Sequence, residues 1–218
     1  MRKVIAGVTG VLVLTAWVVS AQDSAKTTRE RPKAAGHGAM APGGGGTSDA
    51  ATIAKAVSAA PPEIRQHATV MAVSPDGQMK QIRAGTNGWV CMLNPVGDPM
   101  CLDKEWQAWG EAWMHKQDPP QPKTVGVAYM LRGDNGASNT DPYATKPTPD
   151  NQWVVTGPHI MLLPTDRSQL DVFPTDPHTG GPWVMWKGTK YAHIMVPVAA
   201  MPKAGAPTKS APKASTSQ

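Results

Sequence analysis

Two copies of one tripeptide carry the densest chemistry in this chain: His159-Ile160-Met161 and His193-Ile194-Met195. On an extended strand, positions i and i+2 face the same way, so each copy presents an imidazole and a thioether together. If the two strands pair in suitable register, facing Cβ atoms lie about 4.5–5.5 Å apart, close enough for four side chains to converge. Nitrogen with soft sulfur suits copper, Cu(I) in particular, and Met185 is a further thioether that could join them. The competing reading is a core one. Ile160, Leu162, Ile194 and Val196 make the alternate face apolar as well. That pattern fits strands buried on both sides, where Met fills space and each His donates to a backbone carbonyl.

A second concentration of polar chemistry lies in the stretch Gly133–Gln152, which contains Asp134, Asn139, Asp141 and Tyr143, with Trp153 and His159 following it. Stretches of this length without regular structure are uncommon in a domain unless they are functional or disordered. Carboxylates and amides beside Tyr143 and Trp153 make the mixture that binds a sugar or another polar ligand. The same residue types are also what turns demand. Specific motifs fail here. A calcium loop starting at Asp134 needs Gly and Glu at its sixth and twelfth positions, which hold Asn139 and Thr145. A nucleophile elbow needs a second Gly where Gly136-Ala137-Ser138-Asn139-Thr140 has Thr. A triad of Ser138, His159 and Asp141 is possible only if folding assembles it. No catalytic residue is therefore assigned.

The only two cysteines are Cys91 and Cys101, and their setting decides their role. Met1-Arg2-Lys3, an apolar run from Val4 to Val19, and Ser20-Ala21 form the pattern of a cleavable export signal over residues 1–21. The apolar run, broken by Gly7, Thr9, Gly10 and Thr15, falls short of the about 20 residues a membrane span needs. In an exported, oxidising compartment, periplasmic or extracellular, the two thiols are expected to form a disulfide.

Residues 22–48 are poor in large apolar groups and include four consecutive glycines at 43–46, so they are read as a flexible linker. Residues 202–218, rich in Lys, Ala, Pro, Ser and Thr, are read as a disordered basic tail. The formal net charge of +5 belongs to these ends, because residues 49–201 carry twelve basic and fourteen acidic side chains. A nucleic-acid partner needs basic residues gathered on a folded face, so none is expected. The 49–201 segment has the size of one domain with its own core, expected to be monomeric.

The elements that must position the candidate residues follow from periodicity. A short helix is expected from Ser48 or Asp49, ended by Pro61-Pro62. Strands at 68–73, 78–83 and 89–93, joined by Ser74-Pro75-Asp76-Gly77 and by Asn87-Gly88, suggest a three-stranded meander. Asp98-Pro99 reads as a helix start, with Leu102, Trp106, Trp109 and Trp113 on one face of an amphipathic helix over about 102–116. Cys101 then falls in its first turn, and the disulfide would pin helix to sheet. An exposed aromatic platform for glycans is the alternative use of these tryptophans, but the polar opposite face argues for burial. Further strands are expected at 124–131, 153–155, 159–163, 183–187 and 191–196, with Gly188-Thr189 as a hairpin turn and one helical turn within 165–172. Without βαβ alternation, the fold class is α+β with a mainly antiparallel sheet.

Several stretches, Gly85-Thr86-Asn87-Gly88-Trp89-Val90-Cys91-Met92, Asp98-Pro99-Met100-Cys101, Ser138 through Met161, and Gly188 to Val198, resemble a group of uncharacterised exported bacterial proteins. The resemblance covers about residues 68–198. It implies export and a single domain, and transfers no catalytic residue. The sequence thus points to an exported binding or envelope-associated module without a cofactor. A periplasmic copper-binding protein using the His/Met pairs is the alternative, and a small exported hydrolase the second alternative.

Overall fold

The computed structural model describes residues 46–73 and 78–200. The proposed signal, the linker up to residue 45, the turn at 74–77 and the basic tail lie outside the described residues. Helix α1, Gly46–Val57, is followed by the short α2, Pro62–Arg65. Pro61-Pro62 therefore separates two helices, and Pro62 occupies the first turn of the second, where its missing N–H has no partner to lose.

The strands are β1 Thr69–Val73, β2 Met79–Arg83, β3 Val90–Leu93, β4 Pro99–Leu102 and, after helix α3 Lys104–Met114, β5 Gly126–Met130. The short β6 Ala137–Ser138 and β7 Trp153–Val154 precede β8 His159–Leu163, β9 Trp183–Met185 and β10 His193–Pro197. Eight of them form one sheet in the order β2-β1-β3-β4-β5-β8-β10-β9, and β6 pairs with β7 separately. Every contact between neighbours in the large sheet is antiparallel except β1 with β3. The fold is thus α+β with a mostly antiparallel sheet.

Two local expectations are corrected. First, β1, β2 and β3 are not a meander: β3 lies on the far side of β1 and runs parallel to it. The chain reaches that position by passing tightly under the start of β1. Gly85 permits this, since a Cβ there would lie 2.1 Å from the Thr69 backbone N. Thr86 N–H donates to His67 O at 2.8 Å, and the Asn87 carboxamide donates to Ile64 O while accepting from Trp89 N–H. Asn87-Gly88 is therefore a tether for a crossover, not a hairpin turn.

Second, Asp98-Pro99 starts strand β4 and not the helix. The actual N-cap is Asp103, whose carboxylate accepts the Trp106 N–H at 2.9 Å and also takes the Val127 N–H from β5. One carboxylate thus serves an orphan helix donor and fixes the helix to the sheet. Cys101 consequently sits on β4 directly opposite Cys91 on β3, and the disulfide joins neighbouring strands.

Directly opposed residues in an antiparallel pair share a face. One face carries Met92, Met100, Leu102, Ala128, Met130, His159, Met161, Leu163, Met185, His193 and Met195. Trp106 and Trp109 of α3, with Val154 of β7 and Tyr191, pack onto it to close the largest core. The other face has two smaller cores. Around Cys91, Cys101 and Val70 it is covered by Ala56, Ala59 and Ala60 at the end of α1. Around Val184 and Ile194 it is covered by Leu170 of the 3-10 turn Arg167–Val172.

Candidate functional site

The polar stretch after Gly133 proves to be structured by its own side chains. Asp134 Oδ1 accepts N–H groups from Gly136 and Thr156, each at 2.9 Å. Ser138 donates to Asn151 O at 2.8 Å and accepts from Thr140 and Asp141 N–H. Asn139, 3% exposed, gives both amide protons away, to Gln152 Oε1 and Thr175 O, and accepts from the Trp183 indole at 3.1 Å. Its backbone carbonyl receives Trp186 N–H, which protects the outer edge of β9. Asp141 closes a turn by accepting Tyr143 N–H. The Tyr143 ring stacks on Trp113 at 5.7 Å, with its hydroxyl 2.9 Å from that of Tyr191. Trp153 lies against Gly136, where a Cβ would come within 2.1 Å of its indole nitrogen.

These residues brace the edge of the sheet and the end of α3. Hollows in the surface open elsewhere, one of them bordered by Trp109, Pro120, Pro164, Arg167 and Lys190. The triad candidates are not joined either, since the Ser138 proton goes to Asn151 O, while His159 bonds Gly157 O through one nitrogen and no group through the other.

The His/Met residues are set on one face by register. Strands β8 and β10 pair antiparallel with Met161 directly opposite Met195. His159 and His193 therefore stand one row to either side of that thioether pair, on the same face, in a local pseudo-twofold arrangement. The repetition extends to their hydrogen bonds: His159 Nδ1 meets Gly157 O at 2.7 Å and His193 Nδ1 meets Tyr191 O at 3.0 Å, each two residues back along the chain, just before its strand. A ring nitrogen facing a carbonyl must donate, so in each neutral ring the proton is on Nδ1 and Nε2 is a bare lone pair.

Both rings are neutral at pH 7. Burial pushes each imidazole down to about 4, against the hydrogen bond to its carbonyl; the nearby Asp98 carboxylate also favours protonated His159, and His159 itself disfavours protonated His193. His159 is 0% and His193 2% exposed, and neither Nε2 has a hydrogen-bond partner among the described residues. His193 is boxed by Trp186, Trp106 and Trp109, whose ring centroids lie 5.0, 5.3 and 5.8 Å from its own. His159 has Met130 directly opposite on β5, and His193 has Met185 directly opposite on β9.

Among the described residues, no group of three His, Cys, Asp or Glu side chains gathers to hold a metal ion. The link between Asp98 and Asn135 is tertiary and not readable from spacing: Asp98 takes the side-chain amide and backbone N–H of Asn135, 37 positions away. The thioethers Met92 and Met130 fall within expected strands, whereas Met100 falls in the expected first turn of the helix, and the structure places it on β4. Comparison of the chain with family models, with curated proteins and with solved structures finds no match.

Proposed function

We propose that this chain is an exported binding module for Cu(I), held between β8 and β10 by Met161 and Met195 with His159 and His193 as flanking nitrogen donors. The observation that carries the reading is the pair of buried Nε2 atoms, each without a hydrogen-bond partner among the described residues, on the sheet face that also carries Met130, Met161, Met185 and Met195. Leaving a buried acceptor unpaired costs about 1–3 kcal/mol, and such a group calls for an explanation. A soft cation supplies one. Thioether and imidazole are the ligand types that select copper among available metals, and the Nδ1 bonds fix each ring in the tautomer a metal needs.

The cross-strand disulfide and the absence, among the described residues, of any helix long and apolar enough to cross a membrane are compatible with work outside the cytosol. The polar stretch after Gly133 then supports the site from outside: Asp134 orders the turn before β8, and Asn139 secures Trp183 and Trp186 beside β10.

Anaerobic titration against a chromophoric Cu(I) chelator tests this. The expected result is one Cu(I) per chain, with both sulfur and nitrogen scatterers in its X-ray absorption spectrum. Exchange of Met161 and Met195 for Leu keeps volume and packing and is expected to lower affinity at least about tenfold. A wild-type chain that takes no copper from the chelator, or a double Leu variant that binds as well as wild type, refutes the proposal.

A further inference from the structure

His159 is sealed from solvent, so a metal that uses it needs a route inward. The sheet contains one. Met92 lies directly opposite Met100 across β3 and β4, and Met130 lies directly opposite His159 across β5 and β8. Between β4 and β5 the register pairs Cys101 with Tyr129 and Leu102 with Ala128; one residue further, Met100 comes beside Met130. Four adjacent strands thus carry an unbroken row, Met92, Met100, Met130, His159, on the same face. Neighbouring strands lie about 4.7–4.9 Å apart. Exposure falls along the row: Met92 and Met100 are half-buried, Met130 is 5% exposed and His159 0%.

We propose that Met92, Met100 and Met130 form a thioether path that receives Cu(I) at the half-buried end and passes it to His159. This rests on the copper reading above. Unbranched, flexible methionine is a poor choice for strand positions, which favour β-branched and aromatic residues; three in register on adjacent strands supply soft donors whose long side chains can swing from one neighbour to the next. Each step is a ligand exchange in which one sulfur lone pair binds as another leaves, and copper stays Cu(I) with no electron transferred. The inner end is prepared for a cation. The Asp98 carboxylate, 4% exposed, is close enough to His159 to favour positive charge there, and Asp134 lies close to Asp98.

The test is anaerobic stopped-flow transfer of Cu(I) from the chelator to wild type, to a Met92→Leu, Met100→Leu double variant, and to Met114→Leu. Met114 is half-exposed on α3 and outside the row. The double variant is expected to bind the same amount of copper with the same affinity but about tenfold more slowly, while Met114→Leu keeps the wild-type rate. Undiminished capture by the double variant overturns the path alone. Failure of wild type to bind any Cu(I) overturns the site, and the path with it.

Discussion

Acidifying the metal-free protein from pH 6.5 to 4.5 tests the electrostatic state of the two buried histidines directly. Both have folded-state values lowered from 6.5 to about 4 by burial. Below 6.5 the unfolded chain takes up protons that the folded chain refuses, so the contribution of these rings is complete above 6.5 and is lost as pH falls toward 4. With the unfolded imidazole half protonated at 6.5, the loss from pH 6.5 to 4.5 integrates to about 2.2 kcal/mol per ring and about 4 kcal/mol for the pair. The charged groups facing them are few. His159 has Asp98, whose carboxylate reduces the penalty, and His193 has His159, which adds to it.

Asp134 acts in the opposite direction. Burial pushes its carboxyl up from 3.8 to about 7, so the folded chain keeps a proton that the unfolded chain loses above 3.8, and this contribution disappears as pH rises through 7. Two backbone N–H groups donate to its Oδ1 and favour the carboxylate, and the residue is only partly buried. The offset is therefore smaller than the full shift implies. Asp134→Asn preserves the Oδ1 acceptor and removes the titration. Urea unfolding in chelator-containing buffer, followed by tryptophan fluorescence at half-unit pH steps, is expected to show the whole loss of about 4 kcal/mol in Asp134→Asn and a smaller loss in wild type. A change below about 1 kcal/mol in Asp134→Asn over this range refutes the claim that both imidazoles are folded in as neutral, unpartnered groups.

Other substitutions separate the supports of the fold. Replacing Cys91 and Cys101 together by Ala opens a loop of separation 10 and is expected to lower stability by about 2.7 kcal/mol on the chain-entropy estimate, read as a lower urea midpoint than that of the oxidised wild type. Asn139→Ala strands the buried Trp183 indole N–H, now held at 3.1 Å, and is expected to cost about 3 kcal/mol; an unchanged midpoint would show that the Asn139 hydrogen bonds contribute nothing. Gly85→Ala sets a methyl group 2.1 Å from the Thr69 backbone N, where neither chain can yield, so a loss of about 3 kcal/mol or more is expected. Gly110→Ala, with nothing within 4 Å and a helical backbone, is the matched control and is expected to gain about 0.5–1 kcal/mol.

Periodicity made most strands and the tryptophan helix readable, because alternation and the 3.6-residue repeat are local properties. What it could not reveal was the choice between local signals with two meanings. Asp followed by Pro opens helices and also opens strands. At Asp98 the decision is made by Asn94 and Asn135, which bind the carboxylate, and at Asp103 by Val127 N–H arriving from β5. Asn87-Gly88 suits a hairpin in isolation, yet Gly85 allows a close crossing against residues 67–69 that places β3 parallel to β1. The polar stretch after Gly133 was correctly seen as rich in hydrogen-bonding groups. Their partners, among them Thr175 O, Trp183 and Tyr191, lie too far along the chain for its bracing role to be read from spacing.

The candidate site was half legible in the same sense. The His-x-Met spacing alone guarantees that imidazole and thioether share a face within each strand. Nothing local guarantees that β8 and β10 are neighbours, or that their faces agree, and a slip of one residue would turn one strand's pair to the other side of the sheet. The observed register sets Met161 against Met195 and thereby makes two copies of one tripeptide into two halves of one arrangement. Both rings donate to backbone carbonyls from strands packed on both faces, as the core reading expects, so the copper proposal rests on the bare nitrogens. Phe or Leu at 159 and 193 would fill these apolar surroundings without leaving bare nitrogens, each of which costs about 1–3 kcal/mol. Each imidazole has the same Nδ1 anchor and a thioether directly opposite, and under the copper proposal its Nε2 is the electron pair that a soft cation would take.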